Sequence, residues 1–166
     1  MFKKLFGKGE EASKTIEIKA PLSGTYVALA DVPDPVFAQE MMGKGFGVEP
    51  IEGTLVAPID GEVVNVFPTK HAIGLKAANG LEILLHVGLE TVAMNGEGFT
   101  TKVKAGDKVK AGDTLLTFDL ELIHQKAASI ISPVIITNSD VINTFEIVQT
   151  GNLQKGLTTV LKIDTH

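Results

Sequence analysis

The sequence contains no cysteine, no tryptophan and, among its 15 basic residues, no arginine. Without cysteine there is no disulfide framework, no thiolate nucleophile and no zinc–thiolate site, which suits a reducing, cytoplasmic setting. Without arginine any phosphate must be held by lysine, histidine, hydroxyls or backbone N–H groups, because no planar guanidinium fork is available. Aromatic residues make up only 5% of the chain and tyrosine occurs once, so the core must be built from Val, Ile and Leu. The formal net charge is −5, which argues against a nucleic-acid partner. No apolar run is long enough for a membrane span, and the N-terminus lacks the apolar region and cleavage site of a signal peptide. What remains is 166 residues, 44% hydrophobic, enough for one domain with a full core.

Residues 1–15, MFKKLFGKGEEASKT, read as a tail preceding the domain. Phe2, Leu5 and Phe6 among Lys3, Lys4 and Lys8 also fit a weak membrane-surface helix. Residues 16–166 read as the domain. From Ile16 the text is strand, turn, strand, with Gly and Pro recurring at intervals typical of a sandwich or barrel. Ala20-Pro-Leu-Ser-Gly24 echoes Ala57-Pro-Ile-Asp-Gly61, and Lys102-Val-Lys-Ala-Gly-Asp107 is followed at once by Lys108-Val-Lys-Ala-Gly-Asp113. These echoes point to a duplicated β motif. Helical text is sparse. Asp34 with Pro35 behind it predicts a short helix before Gly43, and Asp119 predicts a second over Leu120–Ala128. Val134–Thr137, Phe145–Val148 and Thr158–Ile163 read as further strands. The expected architecture is an all-β antiparallel sandwich, barrel-like, with a duplicated motif and one or two short helices.

Two histidines frame one hairpin, His71 to His86, with Asn79-Gly80 as its turn signal. A two-residue loop sets Ile73 opposite His86 and puts His71 diagonal to it on one face. A four-residue loop sets His71 directly opposite His86. A three-residue loop places them on opposite faces. The strand before His86, Leu81-Glu-Ile-Leu-Leu, is strongly apolar, and an imidazole buried there without partners costs kcal/mol. Two chemistries fit a facing pair. One is metal binding, although catalytic zinc usually takes three protein ligands and no third is spaced nearby. The other is nucleophilic catalysis, in which one ring takes a phosphoryl group and the other steadies its oxygens.

Several segments in order carry a resemblance: Ile18-Lys-Ala-Pro-Leu-Ser-Gly24, Asp31-Val-Pro-Asp-Pro-Val-Phe37, Val56-Ala-Pro-Ile-Asp-Gly61, Thr69-Lys-His-Ala72 and His86-Val-Gly-Leu-Glu-Thr-Val-Ala-Met-Asn-Gly-Glu-Gly-Phe99. Together they resemble the glucose-type enzyme IIA of the bacterial phosphotransferase system, from about Thr15 to the last strand. The resemblance implies a phosphoryl carrier without a required cofactor. His86 would take the phosphoryl group on Nε2 from phospho-HPr and pass it to the IIB domain of a sugar permease. His71 would serve onward transfer, Thr69 would orient His71, and the Gly88 carbonyl would hold the His86 Nδ1–H. Pro35, Val36, Phe37, Met41, Met42, Phe67, Leu84, Val92 and Met94 would form an apolar docking rim; two adjacent methionines and a phenylalanine independently suit an adaptable surface. Asp34 and Glu90 would flank the site and meet basic residues on HPr. Glu90 stands where enterobacterial members have Asp, and Leu84 where they have Phe.

Other readings remain. His71 and His86 are candidate zinc ligands if a partner supplies a carboxylate. A zinc endopeptidase of the lysostaphin type needs a His-x-His pair, which this chain lacks. A biotinyl or lipoyl carrier is echoed at Gly106-Asp-Lys-Val109, but Met-Lys is absent. A regulatory role, binding and restraining other proteins, is compatible with the carrier. His124 and His166 read as exposed and inert, and Glu82, Glu97, Asp107 and Asp113 as turn and surface residues.

Overall fold

The structure is a computed structural model, and it describes residues 15–166. The expected tail falls on residues 1–14, outside the described residues, except for Thr15, which begins the first strand. The strands are β1 (Thr15–Lys19), β2 (Gly24–Ala28), β3 (Lys44–Pro50), β4 (Thr54–Val56), β5 (Gly61–Val66), β6 (Ala72–Ala77) and β7 (Glu82–His86). They continue as β8 (Phe99–Thr101), β9 (Lys108–Val109), β10 (Thr114–Phe118), β11 (Ser132–Ile136), β12 (Ile142–Ile147), β13 (Asn152–Leu153) and β14 (Thr159–Thr165). Helix α1 spans Pro35–Ala38 and α2 spans Leu120–Lys126. Both begin as their sequences predict: Asp34 accepts from the Val36 N–H and Asp119 from the Leu122 N–H.

Every strand pairing is antiparallel. An eight-stranded sheet runs β13-β2-β3-β11-β7-β6-β5-β9, and two three-stranded sheets run β1-β14-β12 and β4-β10-β8. The main core lies between them and is aliphatic, with Ile18, Leu55, Ile73, Leu75, Ile83, Leu85, Leu115, Leu116 and Ile163 essentially sealed from solvent. Phe46 is its largest fully buried side chain.

The sequence echoes become a near-symmetric crossing. Lys19 N–H donates to the Pro58 carbonyl and Val56 N–H to the Pro21 carbonyl, so the two Ala-Pro segments brace each other. Ala20 exchanges bonds with Thr158 and Gly156, and Ala57 with Asp113 and Gly112. The tandem Lys-Val-Lys-Ala-Gly-Asp repeats fold as matching turns: Asp107 accepts from Lys104 N–H and Asp113 from Lys110 N–H. Gly106 and Gly112 stand at φ 98 and 95, where a side chain would be strained.

The sheet positions the site through β7. This strand is covered on both faces, which explains its near-continuous apolar text. Ile83 and Leu85 enter the main core. Leu84 points the other way into a second, smaller cluster with Leu29, Val32, Phe37, Ala72, Leu89 and Ile135. His86, two residues beyond Leu84, shares that face, with α1 above it.

Candidate functional site

The β6–β7 hairpin carries the three-residue loop, the one case in which simple alternation separates the histidines. Gly80 N–H donates to the Ala77 carbonyl at 3.0 Å, Ala77 N–H to the Leu81 carbonyl at 2.9 Å, and Gly80 sits at φ 95. Asn79 does not take positive φ; its side-chain oxygen instead accepts from Leu81 N–H at 3.2 Å. The loop is therefore a turn closed by a left-handed glycine rather than a two-residue type I′ turn. The register pairs Ala72 with His86, correcting both same-face registers expected from the sequence.

The rings nevertheless meet. Their centroids are 4.8 Å apart and their planes 80° to each other. His71 escapes the alternation rule because it stands one residue before β6, directly after Lys70 at φ 64. A tight turn, with Lys70 N–H on the Phe67 carbonyl at 2.7 Å and Phe67 N–H on the Ala72 carbonyl at 3.0 Å, redirects the chain there. The His71 carbonyl still accepts from Val87 N–H at 2.8 Å, so its backbone stays tied to β7 while its ring swings to His86.

Each ring has one nitrogen engaged. His86 Nδ1 lies 2.8 Å from the Gly88 carbonyl oxygen. A carbonyl only accepts, so Nδ1 carries the proton and Nε2 keeps the lone pair. His71 Nδ1 lies 2.7 Å from the Thr69 hydroxyl. When that hydroxyl donates, His71 presents an Nε2–H. Burial is the main cause that lowers the pKa of both rings. His71, only 3% exposed, is brought down to about 4, with His86 repelling its charged form as a further cause. His86 is also lowered, opposed by its bond to Gly88 and by the field of Asp34. Both imidazoles are thus neutral at pH 7.

Aromatic rings flank the pair. Phe37 lies 5.2 Å from the His86 ring and Phe67 5.6 Å from His71. The expected rim divides by depth. Val36, Met41, Met42 and Val92 are exposed, with Met41 at 69% and Val92 at 53%. Pro35 is exposed and Phe67 half-buried. Phe37 and Leu84 are buried in the small cluster below His86, and Met94 is buried in the main core. These three support the surface rather than present it, because their apolar area is already spent on packing. Asp34 caps α1 and lends its field to His86, while Glu90 is exposed at φ 61.

Among the described residues no three of His, Cys, Asp and Glu converge on one point. His71 and His86 offer two free nitrogens, so this chain's described residues do not complete a zinc site there. An opening of about 680 Å³ beside Lys76, Lys108 and Lys110 lies at the opposite end of β6 and shares no residue with the pair. His124 and His166 are exposed. Glu97 pairs with Lys126 at 2.8 Å. Two buried hydroxyls, Thr91 and Ser132, lie close behind the site and carry no signal in sequence beyond a polar residue in apolar text.

Residues 16–142 match the family described as phosphoenolpyruvate-dependent sugar phosphotransferase system, EIIA 1. A protein of Staphylococcus epidermidis named PTS system glucose-specific EIIA component is 58% identical over 163 residues, covering 98% of each chain. One of Staphylococcus aureus with the same name is also 58% identical, with the same coverage. The solved structure of a glucose permease IIA from Mycoplasma capricolum superposes with a TM-score of 0.84 at 42% identity, covering 89% of this chain and 95% of that one. The hydrolase and biotinyl or lipoyl readings find no support in these relatives.

Proposed function

Because this chain belongs to the phosphoenolpyruvate-dependent sugar phosphotransferase system EIIA 1 family, and as such is a phosphoryl-carrying component, we propose that His86 is the residue that carries the group. The observation that supports this most is the Gly88 carbonyl on His86 Nδ1 at 2.8 Å. It leaves a neutral ring with its lone pair on Nε2, the form in which imidazole attacks phosphorus. The donor is phospho-HPr. Its nitrogen–phosphorus bond breaks as a bond forms between His86 Nε2 and phosphorus. The Nδ1 proton stays in place, and the Gly88 carbonyl shares the positive charge that the phosphorylated ring acquires.

His71 acts on the transferring group. With Thr69 donating to its Nδ1, its Nε2–H faces the phosphoryl oxygens and stabilises their charge in the transition state. Its depressed pKa keeps it from titrating near neutrality, and a phosphoryl dianion beside it reverses that depression. The acceptor is the IIB domain of a sugar permease, and glucose is the sugar that the names of the relatives print. Val36, Met41, Met42, Phe67 and Val92 form the docking face, with Asp34 and Glu90 offering negative charge to a basic partner. The protein works in the cytoplasm as one domain over 16–166. Zinc, if it binds, joins His71 and His86 to a carboxylate of a partner.

Incubation with enzyme I, HPr and labelled phosphoenolpyruvate tests the reading. Acid-labile, alkali-stable label is expected on the protein and absent from His86→Ala. Label of that kind on His86→Ala sinks the assignment.

A further inference from the structure

The Gly88 carbonyl matters only if it points at His86, and the peptide unit before it is gripped at both ends. The Val87 carbonyl accepts from the Thr91 hydroxyl at 2.6 Å. The N–H of the same peptide, on Gly88, donates to the Ser132 hydroxyl at 2.9 Å. Ser132 in turn donates its own proton to the Ile130 carbonyl at 2.9 Å, so its oxygen is committed as an acceptor towards Gly88. Thr91 exposes 0% and Ser132 2% of its surface. Water does not substitute for either.

The fold delivers these hydroxyls for separate reasons. β11 runs beside β7 with Val134 opposite Leu85, and extending that register by two residues brings Ser132 beside Val87. Thr91 begins the single 3-10 turn that follows Glu90, and so folds back on the Val87 carbonyl. The segment is fastened further by Leu89 N–H on the Ser129 carbonyl at 2.9 Å. Gly88 itself stands at φ 71, and a Cβ there would come within 2.8 Å of Thr91 Cγ2. With the Val87–Gly88 peptide held at both ends, φ set by the glycine and the next N–H held on Ser129, the Gly88 carbonyl is aimed at His86 Nδ1. The other side of the same segment holds the second histidine, through Val87 N–H on the His71 carbonyl.

We propose that Thr91 and Ser132 are positioning residues for phosphoryl transfer, clamping the Val87–Gly88 peptide so that the Gly88 carbonyl that follows it keeps the proton on His86 Nδ1 and the lone pair on Nε2. This rests on the reading of His86 as acceptor. A tautomer held in this way needs no rearrangement before attack, and supporting groups of this kind are worth roughly 10–100-fold in activity.

The experiment compares wild type, Thr91→Val, Thr91→Ser and Ser132→Ala below their melting temperatures. One readout is phosphorylation by phospho-HPr, resolved into kcat and KM. The other is nitrogen NMR of the unphosphorylated His86 ring, which reports the tautomer without any transfer. Thr91→Val and Ser132→Ala are expected to lose about tenfold in kcat at unchanged KM and to show mixed tautomers. Thr91→Ser is expected to restore both. Lower melting temperatures with kcat and tautomer as in wild type overturn the proposal and leave the hydroxyls merely structural. Should the variants not fold, the wild type still decides: a His86 Nδ1–H that exchanges freely with water means the carbonyl is not holding it, which also overturns the clamp. Failure of the wild type to take label at His86 defeats the acceptor reading instead, and the NMR result stands apart from it.

Discussion

The imidazoles of His71 and His86 stand edge to face with their centroids 4.8 Å apart, while the ladder pairs His86 with Ala72. Their engaged nitrogens lead away to different partners, the Thr69 hydroxyl and the Gly88 carbonyl. The pair is therefore unequal, and the two rings should fail differently. His86→Ala should abolish phosphoryl acceptance. His71→Ala should still accept, but onward transfer should slow by roughly 10²–10³-fold, as when one stabilising donor is lost from a transition state. Rapid-quench measurement of both half-reactions checks this. Equal loss of acceptance in the two variants would refute the division of roles.

Acid should destabilise the folded protein through His71. Its pKa is held at about 4 in the folded chain, against the ordinary value near 6.5 when unfolded. Between those values the unfolded state binds the proton and the folded state does not, so stability falls as pH falls from about 6.5 towards 4. The full shift corresponds to about 3 kcal/mol. His86, lowered in the same direction, adds to the trend. Denaturant unfolding at a series of pH values should show this slope in wild type and a shallower one in His71→Ala. An identical slope in both would remove His71 as the cause.

Phosphorylation should raise the His71 pKa. A phosphoryl dianion on His86 Nε2 lies against a ring whose depression comes from burial and from a second imidazole. Opposite charge at that range favours the protonated form. Proton NMR of the His71 ring, before and after phosphorylation, should move the midpoint upward. A midpoint that stays near 4 would show that His71 does not sense the phosphoryl group.

Much of this was legible in the chain, for physical reasons that differ by feature. Alternation, recurring turns and capping aspartates mark both helices and part of the strands, the β6–β7 hairpin, β11, β12 and β14 among them, because these signals are local, whereas β3, β4, β8, β10 and β13 carry no such mark. The echoed Ala-Pro and Lys-Val-Lys segments correctly announced a duplication, yet not that the two copies cross, since crossing is a tertiary contact. The histidine pair was foreseen, but the hairpin route to it was not: a left-handed Gly80 made the loop three residues long, and the turn at Lys70 undid the consequence. Depth around the site was the weakest point. Phe37, Leu84 and Met94 look like Met41 and Val92 in sequence, and only packing against Ala72, Ile135 and the main core tells them apart. Ser132 was invisible because its partner, the Gly88 N–H, is far away in sequence.

That difference in depth changes which substitutions probe docking. Val36→Glu, Met41→Glu and Val92→Glu alter exposed side chains and should fold as wild type does, within about 0.5 kcal/mol. They should weaken HPr binding, because a carboxylate buried in the complex without a partner costs several kcal/mol. Phe37→Glu, at a position only 5% exposed, should destabilise the fold itself by more than about 3 kcal/mol. Circular dichroism melts together with NMR titration by HPr separate the two effects. Normal HPr binding by all three exposed variants would move the docking face elsewhere.

Gly88→Ala should combine strain with loss of aim. The residue stands at φ 71, and a Cβ there would approach Thr91 Cγ2 at 2.8 Å and the Ser129 carbonyl at 3.1 Å. A left-handed alanine costs roughly 1–2 kcal/mol before any clash. Relief requires either the Thr91 methyl to move or the Gly88 carbonyl to rotate off His86 Nδ1, and rotation frees the ring to protonate either nitrogen. The variant should melt at a lower temperature and accept the phosphoryl group more slowly. Gly80→Ala is the matched control, since Gly80 has φ 95 but nothing within 4 Å of its would-be Cβ, at the far end of the same hairpin. It should show comparable backbone strain with acceptance as in wild type. If both variants slow acceptance alike at matched stability, the carbonyl of Gly88 has no special place in the chemistry.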